Sequence, residues 1–101
     1  MKRNIDFRCL PIDEDGYRDV ENIDFEDYIT RDLKITYPLG KPFTTTITFT
    51  DLYTLIDNIR EAYKEVYENP KLYKVWGHSI DDLVLEEIRI GSKNIHLSIG
   101  S

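Results

Sequence analysis

The sequence predicts an α+β domain in which an antiparallel β-sheet built of hairpins carries one long amphipathic helix, about residues 51–69, across one face. Three observations predict it. Apolar and polar residues alternate near the N-terminus, through the middle of the chain and near the C-terminus, the pattern of half-buried strands. After the second of those stretches the apolar spacing becomes helical. Turns containing Gly or Pro interrupt the alternating runs, so neighbouring runs reverse on one another. With 101 residues and no linker, repeat or low-complexity stretch, residues 1–101 make a single domain. A chain this long buries about 65% of its unfolded surface, enough for one core without metal or disulfide.

The first element is "NIDFRCLPI", in which Ile5, Phe7 and Cys9 alternate with Asn4, Asp6 and Arg8. "DEDGYR" follows, and Asp15-Gly16 is a strong two-residue turn signal because Gly accepts the positive φ such turns need. The chain is therefore expected to reverse there and send Tyr17–Val20 back along the first strand. "ENIDFEDYI" fits two periods at once. Ile23 and Phe25 alternate as in a strand, whereas Phe25, Tyr28 and Ile29 are spaced as on a helical turn, so a loop or short turn is expected. Leu33, Ile35 and Tyr37, then Phe43, Thr45, Ile47 and Phe49, describe a hairpin with one apolar face and one face of threonines. Its break is confined to "PLGKP", since Pro cannot donate to a ladder.

Leu52, Leu55, Ile56, Ile59, Tyr63 and Val66 form one helical stripe. Thr50 or Asp51 is placed to cap it, and Asn69-Pro70 ends it. Asp57, Arg60, Glu61, Lys64 and Glu68 fall on the outward face. The chain closes with strand Leu83–Ile90, a turn over residues 91–94, and Ile95–Ile99 with Ile95, Leu97 and Ile99 inward. "KLYKVWG" before it reads as a short strand or an irregular connection.

Composition bounds function. The longest apolar run is Leu83-Val84-Leu85, far too short for a membrane helix. The start "MKRNIDFR" is charged where a signal peptide is apolar, so a cytoplasmic location is expected. The lone Cys9 fits a reducing compartment and has no partner for an internal disulfide. With no His or Lys beside it, it reads as a small core residue. Abundant Ile with a single Ala (Ala62) points to an AT-rich bacterial or phage genome. The net charge of −6 argues against direct nucleic-acid binding, which requires Lys and Arg to neutralise phosphate. The acidity is regional: residues 13–32 hold nine acids against Arg18 and Arg31, a balance of −7.

Four stretches are chemically suggestive. "KVWGHSIDDL" offers His78, Asp81 and Asp82 for acid–base or metal chemistry, with His96 to join them if the fold brings it near. No H-E-x-x-H or Cys pair accompanies them. A corner accounts for more of these residues: Trp76 as an apolar anchor under the helix end, Gly77 as the turn, and Ser79 capped in return by Asp82. "PIDEDGYRDVEN" imitates a calcium loop through Asp13, Asp15 and Asp19, but Pro11 and Asn22 occupy the positions of the first ligand and the bidentate Glu. No phosphate-binding Gly loop or nucleophile elbow occurs, and nothing calls for a cofactor. The threonine face of "TTTITFT", or an open edge beside it, suits self-association or simply a quiet strand.

The fourth stretch, "DEDGYRDVENIDFEDYITRD", interleaves acids with aromatics. Charge steers an encounter and buried aromatics supply affinity, which is how small proteins grip basic partners. The leading expectation is a small acidic, non-enzymatic protein-binding module, concretely an immunity, inhibitor or anti-defence protein, meeting a basic protein through residues 13–32. Asp13, Glu14, Asp15, Asp19, Glu21, Asp24, Glu26 and Asp27 would steer, and Tyr17, Phe25 and Tyr28 would anchor. The alternatives are a small metal-dependent enzyme or ligand binder using His78, Asp81, Asp82 and His96, and a homo-oligomeric structural component.

Overall fold

The computed structural model describes residues 2–14 and 20–101, apart from the Cys9 side chain. The elements follow as β1 (Arg3–Pro11), β2 (Asp24–Ile35), β3 (Phe43–Asp51), α1 (Leu52–Glu68), a 3₁₀ turn (Ile80–Asp82), β4 (Val84–Ile90) and β5 (Asn94–Gly100). Among the described residues the strands form one sheet in the order β1-β4-β5-β2-β3, with α1 packed on it, mainly against β3. The fold is α+β, as the periodicities require.

Two hairpins form as expected. β2 pairs antiparallel with β3, and β4 with β5. The sheet is nevertheless mixed, because β5 lies beside β2 in parallel through Asp32↔Asn94 and Leu33↔Ile95. The helix carries the chain back over the sheet, so the second hairpin re-enters with β5 running the same way as β2. Periodicity records the face a residue takes and is silent on which strand lies beside it.

β1 pairs with β4, setting Ile5 opposite Ile88 and Leu10 opposite Leu85, and all four side chains are buried. Val20 lies in a bend, while the Asp15-Gly16 turn and Tyr17 to Asp19 fall outside the described residues, as does the inward placement expected of the Cys9 side chain.

The helix matches its stripe. Leu52, Leu55, Ile56, Ile59, Tyr63 and Val66 are buried, joined by Ala62. Arg60 is buried too, contrary to the outward face expected of it. Ile56 and Tyr63, both buried, lie one helical turn away on either side, and the Arg60 Nη1 is itself shielded from solvent. At the helix start, Asp51 Oδ1 accepts from Thr54 N at 2.7 Å, and Asp51 N donates to Thr54 Oγ1 at 3.1 Å. Both otherwise unpaired amides are satisfied reciprocally. Asp51→Ala is expected to cost about 1 kcal/mol. A urea titration checks it by a lower midpoint at unchanged slope.

Candidate protein-binding surface

The segment expected to be a loop or short turn, residues 21–29, is strand from Asp24, and it contains a bulge. Between Asp24↔Asp51 and Ile29↔Phe49 the chain advances five residues on β2 and two on β3, leaving three extra on β2. Alternation fails there: Phe25 and Ile29 are buried, while Glu26, Asp27 and Tyr28 between them are all exposed. This explains the ambiguous spacing in the sequence, since an extra-residue bulge breaks the strand period locally. Tyr28 stands 78% exposed, the most solvent-facing large hydrophobic side chain among the described residues. Two carboxylates precede it directly.

Phe25 does not belong to that surface. Its ring meets Phe49 edge-to-face at 5.4 Å, and the Arg3 guanidinium lies 5.5 Å from its centroid. Phe25 is a core residue holding the base of the bulge, and its anchoring role is withdrawn. Val20 and Ile23 also pack against the core.

The approach to β2 is pinned to the helix start. Asn22 Oδ1 accepts from Leu52 N at 3.1 Å, and Tyr53 OH donates to the Val20 carbonyl at 3.1 Å. Asp24, which accepts from Asn22 Nδ2 at 3.0 Å, stands opposite Asp51. Like charges across a pair repel, but both sit at the N-terminus of α1, whose partial positive charge offsets the repulsion. Asp13, Glu14, Glu21, Asp24, Glu26 and Asp27 are all exposed. Asp15, Tyr17 and Asp19 lie outside the described residues, and with them two of the three acids of the calcium-like register.

At the other end of β2, "KVWGHSIDDL" is the corner. Gly77 takes φ +73°, a left-handed conformation suited to Gly. Asp82 Oδ2 accepts from Ser79 N at 3.2 Å, and Ser79 Oγ also donates to Asp81. The two acids therefore turn to Ser79. Trp76 is 52% exposed, not buried under the helix end. Tyr37 occupies that position instead, against Trp76 at 5.5 Å and His78 at 5.8 Å, with the Tyr63 hydroxyl on its carbonyl at 3.0 Å. His78 Nε2 lies 3.4 Å from Ser101 Oγ. His96 is exposed opposite Arg89, five positions back along the chain from Ser101, which is about 16 Å of strand. His78, Asp81, Asp82 and His96 are thus not assembled into one site. Among the described residues no group of three or more His, Cys, Asp or Glu is placed to hold a metal ion, and no helix is long and apolar enough to cross a membrane.

The threonine face is exposed. Thr30 and Thr48 share a hydrogen bond at 2.9 Å, and Thr46 Oγ1 donates to Asp32 at 2.9 Å. Sequence reasoning missed the cleft on the outer side of the same hairpin, where β3 meets the helix side bearing Asp57, Glu61 and Glu65. Their i, i+4, i+8 spacing was the available signal, but it names a helix face without naming its neighbour.

Fold and site together define an α+β, mixed-sheet domain with an acidic, tyrosine-tipped bulge near the N-terminus of its helix. No protein-family model, curated protein or solved structure matches this chain.

Proposed function

We propose that the protein is a non-enzymatic binding module that holds a basic partner protein against the bulged end of β2. The observation carrying this reading is the bulge, which turns Glu26, Asp27 and Tyr28 out together. An exposed Tyr beside a buried aromatic base presents a rigid, amphipathic contact of the kind that dominates interface energetics. The surrounding acids, Asp13, Glu14, Glu21 and Asp24, steer an approaching cationic surface and set its register. Proteins that handle nucleic acid carry such surfaces, so an immunity, inhibitor or anti-defence role against a nuclease or toxin fits this chemistry.

The test compares proteins retained from a lysate at low salt by the wild type and by a Glu26→Gln, Asp27→Asn, Tyr28→Ala variant. A basic protein held by the wild type, released by moderate salt and lost from the variant is the expected result. Identical retention by both would end the proposal.

A further inference from the structure

Among the described residues β3 pairs only with β2, so its outer edge is unpaired by any strand. Two hydrogen bonds establish which backbone groups face outward. Asp32 N donates to the Lys93 carbonyl at 2.9 Å, on the β5 side of β2. Residues opposed in an antiparallel ladder point their backbone groups either at each other or both away. Thr46, opposite Asp32, therefore turns its N–H and C=O away from β2, and alternation extends this to Thr44 and Thr48. The Thr48 carbonyl agrees, accepting from Asn58 Nδ2 of the helix at 3.2 Å. Thr50 N likewise donates to Thr54 Oγ1 at 3.1 Å. Helix side chains thus close the edge at Thr48 and Thr50, and leave it available at Thr44 and Thr46.

Alongside this edge run two adjoining clefts of about 240 and about 220 Å³, both lined by Asn58 and Glu61. Phe43, Ile47 and Ala62 contribute apolar surface, and Glu61 and Glu65 line the helix side. Asp57 continues that acidic side toward Thr54. Lys64 reaches Glu61 at 3.3 Å, but both side chains are largely exposed, so the pair holds Glu61 only weakly. From Thr54 to Glu65 the helix rises about 16 Å, the length of about five extended residues.

We propose that this groove binds an extended, Lys- or Arg-bearing segment of a partner protein, which adds to the sheet as a further strand beside β3. Main-chain bonds to Thr44 and Thr46 would supply affinity, as in strand-addition complexes generally. Basic side chains on the helix side of the added strand would meet Glu61 and Glu65. The acidic rim is what selects this occupant over a neutral or acidic segment. None of Glu26, Asp27 and Tyr28 lines either cleft, so the groove is a second surface that stands or falls separately.

The test is a ¹H–¹⁵N titration at low salt with a capped peptide of alternating lysine and valine, beside the same peptide N-methylated at alternate amides. Saturable shifts at the Thr44 and Thr46 amides are expected, with affinity about fivefold weaker in a Glu61→Gln, Glu65→Gln variant. Thr46→Pro is expected to abolish binding while the fold is kept, since Pro is tolerated where an edge N–H faces outward. The N-methylated peptide tests the same bonds without altering the protein. Equal affinity for both peptides, or no saturable shift at millimolar peptide, overturns the proposal. So do shifts of the same amides with protein concentration alone, which would make a second copy the occupant. The Glu26→Gln, Asp27→Asn, Tyr28→Ala variant is expected to bind the peptide as the wild type does.

Discussion

Phe49→Ala is expected to lower stability by about 4 kcal/mol, through lost burial and the cavity left behind. Phe49 is 1% exposed, lies opposite Ile29 where regular pairing resumes after the bulge, and meets Phe25 edge-to-face. Its removal takes the aromatic partner from Phe25, so the base of the bulge loosens along with the core. Domains of this size are stable by about 5–15 kcal/mol, and the variant approaches the lower limit of folding. Urea denaturation reads the effect directly. Tyr28→Ala is the control, expected to stay within about 0.5 kcal/mol of wild type because its side chain is in water. Equal costs at the two positions would contradict the division of β2 and β3 into a buried base and an exposed tip.

Raising the pH above about 10 is expected to destabilise the protein by about 1.4 kcal/mol per pH unit through Tyr63 alone. Burial, chiefly, holds the Tyr63 phenol well above its ordinary value, with Tyr67 and Tyr37 adding to the effect. The sign follows from the two states. Below the unfolded pKa near 10, both keep the proton and the contribution is complete. As pH rises past it, the unfolded chain ionises while the folded one does not, so unfolding becomes progressively easier. Tyr67 is shifted the same way by partial burial and by Asp82. In Tyr63→Phe the alkaline slope should become shallower, while neutral stability falls by about 1 kcal/mol because the Tyr37 carbonyl loses its donor. Unfolding free energies measured from pH 8 to 11.5 test both statements. An unchanged slope in the variant would assign the alkaline transition to another group.

The helix and the threonine hairpin were the most legible parts of the chain. Leu52 to Val66 repeat with helical spacing next to Asp51 and Asn69-Pro70, so periodicity and caps agree on one element. Phe43 to Phe49 alternate without interruption in the same way. The bulge was illegible as such, because three extra residues between Phe25 and Ile29 turn a strand pattern into something resembling a helical turn. Trp76, expected to anchor the corner, stays half in water, while Tyr37 packs against the core as its strand face predicts, because size and hydropathy do not say which of two neighbouring rings reaches the core. Arg60 looked solvated because its charge is written in the sequence and its tertiary surroundings are not.

By itself the sequence determined what nearest neighbours along the chain can decide: which residues share a face, where the helix is capped, and where the negative charge collects. Those properties repeat over a few residues and need no partner to be read. The tertiary structure alone decided that β1 lies beside β4, that β5 runs parallel to β2, that Phe25 is a base and Tyr28 a tip, and that an acidic helix flank borders the outer edge of β3. Each is a choice among distant segments, made by whichever arrangement buries the apolar faces together, and local alternation is the same in all of them.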